Sequence, residues 1–379
     1  MKVAVVCDVL GRENNGTTIA AMNLIRSLKA KGHEVRVVCP DEERRGEEGF
    51  FVVPTIDFGV LNDYVEKNGV RLAKRDERVL REALAGVDVM HTITPFFLTM
   101  KAISIAKETN IPITSGFHCQ AENFTNHIFM MNSTRINRRM YEIFYKHVYR
   151  YSDCIHFPTQ FICDVFLGVI GKNLNHRVIS NGVNKAFQKR EVERPRELRD
   201  RFVILFTGRY SKEKSHTVLI DAVKRSKYAS DIQLIFAGSG PQKEHLEQYA
   251  RERLKNQPIF NFFSREEMID VINYSDLYVH PAEIEIEAIS CLEAISCGLV
   301  PVISNSKRSA TRFFALDSRN HFKCNDSRNL AAKIDYWISH PEEKAKCSES
   351  YLGYAKRFDF DLCMDRMERM LLDAIDEKR

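Results

Sequence analysis

The sequence predicts an α/β fold made of two Rossmann-like halves, and three observations carry that expectation. The chain has 379 residues, more than one hydrophobic core usually organises. Short apolar, β-branched runs alternate with segments of helical periodicity along most of it. The alternation breaks at a charged stretch over 188–201 and then starts again.

The first half opens with a strand over 3–7, a helix over 17–31 and a strand over 34–38, the beginning of a βαβ unit. Strands over 87–90, 111–114 and 154–157 follow, separated by helical patterns, which predicts a parallel sheet covered on both faces. In the second half the strand runs are 203–206, 234–237, 259–262, 277–279 and 300–303. Helices are expected near 217–224, 243–254 and 266–274. Residues 361–376 form a last helical pattern, with Leu362, Met364, Met367, Met370, Leu371 and Leu372 available to pack on a domain. The expected division is one domain over 1–185, a second over 186–355, and a helical segment over 356–379 that packs on a domain and is able to cross back to the first.

Hydrophobic residues are 44% and charged residues 28%, so the whole chain is expected to fold. The apolar run at 3–6 is closed by Asp8, too short for a secretory core or a membrane span, and a cytoplasmic protein is expected. Ten cysteines without a CxxC pair, with Cys7, Cys291 and Cys297 in apolar contexts, predict buried thiols rather than disulfides or a zinc site. No metal motif is found, and no cofactor is expected. A net charge of +5 suits anionic small molecules or an anionic membrane surface and is too weak to predict nucleic-acid binding.

Four segments bear chemistry. The first βα loop, from Asp8 through Gly11 and Asn15-Gly16 to Thr17, can bring a helix N-terminus and its free N–H groups to a phosphate; an ordinary cap by Asn15 or Thr17 explains it equally well. The second half begins with a strand that delivers Gly208, Arg209, Lys212 and Lys214 into one loop, where a guanidinium and an ammonium could neutralise a pyrophosphate, or simply be solvated. The next strand ends in Gly238-Ser239-Gly240-Pro241, a turn that lacks the third glycine of the dinucleotide fingerprint. The stretch from His280 to Gly298 places Glu283, Glu285 and Glu287 after a buried strand and Glu293 on an apolar helix, at the sheet end where open α/β folds bind ligands. A strand with alternating exposed glutamates is the competing explanation.

Taken together these loops resemble the retaining glycosyltransferases of family 4, which have the GT-B fold and carry two glutamates separated by seven residues. Glu285 and Glu293 have that spacing, and neither Glu283 nor Glu287 has a glutamate eight positions on. Residues 294–298 resemble the family's "EAmacG" ending, Asn181-Gly182-Val183 its "NGV", Gly208-Arg209 with Lys214 its "GRl…eKG" loop, 238–241 its "GdGp" turn, and Asn15-Gly16 its N-terminal "GG". The resemblance implies two Rossmann-like domains facing across a cleft, the first on the acceptor side and the second binding a nucleotide sugar. By it Glu285 faces the donor sugar, Glu293 the ribose, and Arg209 and Lys214 the diphosphate. Gly16, Gly208, Gly238, Glu287, Ala288 and Ile289 complete the donor-binding set. His118, in Ser115-Gly116-Phe117-His118, matches a family histidine close to the reacting sugar and joins Glu285 as a catalytic candidate; a satisfied core histidine is the plainer alternative.

One departure stands out. The family has "GFG" after the first glutamate, where this chain has Ile286-Glu287-Ala288, so two glycines are lost and a carboxylate is added near an anionic donor. Glu287 either turns away or binds a sugar hydroxyl.

Glycosyl transfer needs stabilisation of positive charge at the anomeric carbon and negative charge on the leaving diphosphate, and cations with helix N-termini can meet the second need without a metal. Retention is expected to be front-face, with Glu285 and His118 in positioning and electrostatic roles. For the acceptor, the helical pattern over 132–150 mixes Arg135, Arg138, Arg139 and Lys146 with Tyr141 and other aromatics, as in helices that lie on anionic membranes. The alternative is a surface helix burying Ile136, Met140, Phe144 and Val148. The overall pattern also resembles bacterial enzymes that glycosylate diacylglycerol, so the expected partners are a UDP-hexose, a lipid acceptor and the inner face of a membrane, with peripheral attachment. A soluble sugar acceptor, and a non-catalytic sugar-nucleotide-binding protein, are the alternatives kept open. An NAD-dependent oxidoreductase is disfavoured, because neither half has a complete GxGxxG with its acidic partner.

Overall fold

A computed structural model describes residues 1–11, 15–59, 62, 71–126 and 130–378 of the chain. The chain forms two compact units, Met1–Asn181 with Asp361–Arg379, and Gly182–Phe360.

The first unit is built on a parallel sheet in the order β3-β2-β1-β4-β5-β6-β7. Its strands are β1 (Lys2–Val6), β2 (Glu34–Cys39), β3 (Phe50–Val52), β4 (Val89–Thr92), β5 (Ile113–Gly116), β6 (Cys154–Phe157) and β7 (His176–Val178). Val3 to Val6 are completely buried, as a central strand with helices on both faces requires. The helices are α1 (Gly16–Ala30), α2 (Glu77–Leu84), α3 (Phe97–Glu108), α4 (Ala121–Asn126), α5 (Thr134–His147) and α6 (Gln160–Ile170). Asn15, Asp76 and Thr159 cap α1, α2 and α6 through their side chains. Helix α3 is capped from a distance: Asp8, at the end of β1, accepts from Leu98 N at 2.7 Å and from Thr99 Oγ1 at 2.7 Å. Burial pushes the Asp8 carboxyl up to about 6, against the lowering effect of these bonds.

The second unit has a parallel sheet in the order β10-β9-β8-β11-β12-β13. Its strands are β8 (Phe202–Thr207), β9 (Ile232–Ala237), β10 (Ile259–Asn261), β11 (Leu277–His280), β12 (Pro301–Ser304) and β13 (His321–Phe322). The β8–β9 ladder runs from Phe202 opposite Ile232 to Thr207 opposite Ala237, so both strands end at the same level. Helices α7 (His216–Arg225), α8 (Lys243–Arg251), α9 (Arg265–Tyr274), α10 (Ile289–Ser296), α11 (Ser327–Ser339) and α12 (Pro341–Ala355) cover it. The core centres on Phe206, Phe236, Tyr278 and Trp337.

The connecting strand segments pair within the second unit: Val183 N donates to Phe358 O at 2.8 Å. The last helix, α13 (Phe360–Lys378), then docks on the first unit through Met367, Met370 and Leu371. Glu368 receives Lys31 Nζ at 2.6 Å and His33 Nε2 at 2.6 Å, and Lys378 pairs with Asp153 at 3.0 Å.

Candidate functional site

In the second unit the loops after β8 and β9 are bound to each other backbone to backbone. Gly208 N donates to Ala237 O, and Tyr210 N to Ser239 O, each at 2.9 Å. A Cβ on Gly238 would lie 2.0 Å from Gly208 O, and one on Gly240 would lie 2.6 Å from Tyr210 O. The Gly-Ser-Gly turn therefore exists because two main chains touch there, a structural cause the sequence alone does not distinguish from a ligand contact. Arg209 follows, half-buried, and Lys212–Lys214 form a single 3₁₀ turn before α7.

That turn aims Lys214 at Glu285. Its ammonium bonds Glu285 Oε1, and the two side chains are only 16% and 13% exposed. His280 Nε2 reaches the same oxygen at 3.1 Å. Behind it, His280 Nδ1 lies 3.2 Å from Tyr278 OH, which lies 2.9 Å from Thr207 Oγ1. Burial raises the Glu285 carboxyl, but the Lys214 charge and the bonds from His280 and Lys214 outweigh it and hold the group at about 2. Burial also lowers the His280 imidazole, which is neutral. An ionised carboxylate only accepts, so Nε2 carries the proton, Nδ1 accepts from Tyr278, and Tyr278 accepts from Thr207. The direction of every bond in the chain follows. His280 and Tyr278 were not among the residues singled out from sequence; the only signal was a histidine at the end of a buried strand, five positions before a glutamate.

The remaining acids are not exposed strand glutamates, because β11 ends at His280 and the chain then loops. Glu283 bonds Arg308 and Asn325. Glu287 is 3% exposed, turned into the protein. Glu285 N and O are strapped to 308–310, with Ala310 N donating to Glu285 O at 2.9 Å. Ala288 sits in the left-handed region at φ 62°, ψ 72° and precedes α10, whose first residue is Ile289. Of the two positions where the family has glycine, Ala288 thus keeps a glycine-like backbone conformation and Ile286 does not. Glu293 lies one turn along α10, half-buried, and burial pushes its carboxyl up to about 7, partly opposed by Arg265 on α9.

In the first unit Gly16 is the first residue of α1, and a Cβ there would meet nothing within 4 Å, so the helix start is open. Residues 12–14 of this loop lie outside the described residues. Thr17 Oγ1 donates to His118 O at 3.3 Å, which brings the α1 N-terminus and the His118 segment together. The His118 ring packs over Gly116, where a Cβ would lie 2.7 Å from Nε2. His156 is 5.4 Å away between ring centroids. Burial, then the neighbouring His156 and His91, hold the His118 imidazole well below its usual range, so it is neutral. His91 Nε2 is buried without a hydrogen-bond partner among the described residues.

On α5, Arg135, Arg138, Arg139 and Lys146 are exposed, with Arg138 and Arg139 near Glu142 at 3.2 and 3.3 Å. Tyr141 departs from its expected place among the membrane-facing residues. It is 1% exposed and its OH donates to Glu122 Oε2 at 2.8 Å. The buried stripe runs Asn137, Tyr141, Phe144 and on to Val148, a helical spacing one residue off the stripe expected from Ile136 and Met140. Among the described residues no group of acidic, histidine or cysteine side chains is placed to hold a metal, and no helix is long and apolar enough to cross a membrane.

Comparison with known proteins agrees with this architecture. The model for glycosyl transferases group 1 matches residues 158–351, and that for glycosyltransferase family 4 matches residues 14–187. An alpha-monoglucosyldiacylglycerol synthase of Acholeplasma laidlawii is 24% identical over 96% of this chain and 94% of its own. A GDP-mannose-dependent alpha-mannosyltransferase of Corynebacterium glutamicum is 26% identical over 80% of this chain and 72% of its own. The structure of Anabaena HepE in complex with UDP-glucose, 17% identical, has a TM-score of 0.75 over 98% of this chain and 99% of that one, which shows the shared fold. A family match over half the chain, on two parallel α/β units, settles the class: the chain belongs to the glycosyl transferases group 1 and is a glycosyltransferase.

Proposed function

We propose that the chain is a retaining hexosyltransferase that moves glucose or galactose from a UDP-sugar to a lipid such as diacylglycerol or ceramide at a membrane surface. The observation that carries the reading is the Glu285 cluster. A carboxylate held ionised at a sheet end, with Oε1 occupied by Lys214 and His280, keeps Oε2 for a sugar hydroxyl and for the developing positive charge. Arg209 and Lys214 bind the diphosphate; Lys214 has three donors and can serve Glu285 and a phosphate oxygen together. Gly208, Gly238, Glu287, Ala288 and Ile289 shape the donor loop, the α10 N-terminus adds its N–H groups, and Glu293 accepts from the ribose. Gly16 and His118 keep the roles that the family resemblance gives them, His118 as a neutral hydrogen-bonding group.

Likeness to a diacylglycerol glucosyltransferase over nearly the whole chain supports the lipid acceptor, and the exposed arginines of α5 support an anionic surface. One relative is GDP-mannose-dependent, so the donor is tested together with the acceptor. The test is product formation by the purified chain, offered UDP-glucose, UDP-galactose and GDP-mannose with diacylglycerol or ceramide in anionic vesicles. A glycolipid with the donor's anomeric configuration, lost in Glu285→Gln, is expected. Donor hydrolysis without glycolipid would overturn the lipid acceptor, and an inverted product the retaining mechanism.

A further inference from the structure

Beyond the carboxyl ends of β12 and β13, the second unit contains a cavity of about 540 Å³ that the Glu285 cluster does not use. Its lining carries four side-chain cations, Lys307, Arg308, Lys323 and Lys333, against a single carboxylate, Glu283. That carboxylate is already bonded by Arg308 and Asn325. Among the lining residues the cations exceed the carboxylate by three, with Asp317 beyond the lining lying close enough to feel the Lys333 charge, and the balance remains complementary to an anion.

The walls are preformed. Ser306 Oγ donates to Glu283 O at 2.6 Å, Lys323 N to Asn329 Oδ1 at 2.8 Å, and Lys333 Nζ to Ser318 O at 2.7 Å. His321, also in the lining, is bonded through Nε2 to Arg312 O at 2.6 Å, which ties the 310–314 turn, with Phe313 as the next residue, to the cavity wall. Phe313 is 61% exposed and Leu316 41% exposed, and the Arg312 guanidinium lies 5.4 Å from the Phe313 ring. A cationic cavity whose wall is tied to a segment carrying exposed apolar side chains matches the polar and apolar layers of a lipid interface in turn.

We propose that this pocket binds the phosphate headgroup of an anionic phospholipid while Phe313 and Leu316 enter the interface beside it. The second unit then has a membrane contact of its own, distinct from the basic face of α5. This goes beyond the proposed function and depends on that function only for the presence of a membrane surface.

The experiment is sedimentation of the full chain with phosphatidylcholine vesicles with and without phosphatidylglycerol, which reads binding without turnover. Lys307→Gln with Lys323→Gln is expected to weaken partitioning onto the anionic vesicles about thirtyfold. Phe313→Ser is expected to weaken it further and by a term that salt does not screen. Arg138→Gln with Arg139→Gln, on α5, separates the two surfaces. If the α5 variant abolishes binding and the pocket variant leaves it unchanged, the proposal fails while the proposed function stands. Glycerol 3-phosphate is titrated in parallel by calorimetry. Should the pocket variant lose glycerol 3-phosphate binding but keep vesicle binding, the pocket is a site for a soluble phosphate and the membrane contact is overturned.

Discussion

His280 Nε2 lies 3.1 Å from Glu285 Oε1, and this one bond sets the proton positions of four side chains. The histidine is buried and neutral, so donating its single N–H to Glu285 leaves Nδ1 to accept from Tyr278, which accepts from Thr207 in turn. Glu285 is thus oriented from the sheet interior while Lys214 holds its charge from the loop.

Tyr278→Phe removes the donor to Nδ1 and leaves a buried ring nitrogen and the Thr207 hydroxyl unpaired. The expected cost is about 1–3 kcal/mol of stability, read by denaturant unfolding, with a fall in kcat smaller than the roughly 10²–10³-fold expected for Glu285→Gln. Unchanged unfolding and unchanged kcat would mean that the relay does not position Glu285.

Ala288→Gly relieves a left-handed alanine at the start of α10. The strain released exceeds the extra freedom a glycine gains in the unfolded chain, so a net gain of about 0.5–1 kcal/mol is expected. A lower melting midpoint in the glycine variant would show that the alanine methyl contributes packing that outweighs its backbone strain.

Gly238→Ala sets a methyl 2.0 Å from Gly208 O, a main-chain atom that no side-chain rotation moves away. The β8 and β9 loops must separate, at an expected cost above about 3 kcal/mol. Loss of soluble protein, or a large drop in the midpoint of the second unit, is the outcome to look for; wild-type stability would mean the two loops part easily.

Glu285 and Glu293 should respond to pH in opposite ways. Glu285 is held at about 2, below its ordinary value, so its stabilising contribution is complete above that ordinary value and is lost as pH falls toward 2. Glu293 is pushed up to about 7, so the folded chain favours its protonated form, and the group weighs against stability progressively as pH rises to about 7. Glu293→Gln should therefore match wild type near pH 4 and melt about 2–4 °C higher at pH 8. If the carboxylate binds ribose, the same variant also flattens a donor KM that otherwise rises as pH falls below about 7. Equal melting at both pH values would place Glu293 in contact with solvent.

The sequence was informative where burial leaves a one-dimensional trace. Interior strands such as β1 and β8 are covered on both faces and appear as unbroken apolar runs. Edge strands β3, β7 and β13 have two or three residues and are partly exposed, so no run marked them. The spacing of Glu285 and Glu293 was legible because one is fixed in a loop and the other sits one helix turn on. The relay through His280 and Tyr278 was not, since it is a register between the end of a strand and a loop that forms only on folding. Tyr141 was misplaced because basic and aromatic residues alternate on α5 in a way that suits a lipid surface, while its partner Glu122 is nineteen positions away. Gly238 shows the same difficulty, because close main-chain contact and ligand approach demand the same residue.

The pairing of Val183 with Phe358 brings the two ends of the second unit side by side. Topologically that unit is a cassette spliced into the first, which begins before it and is completed after it by α13. Shortening the chain from its C-terminus would therefore injure the unit that was synthesised first, and leave the intervening one whole.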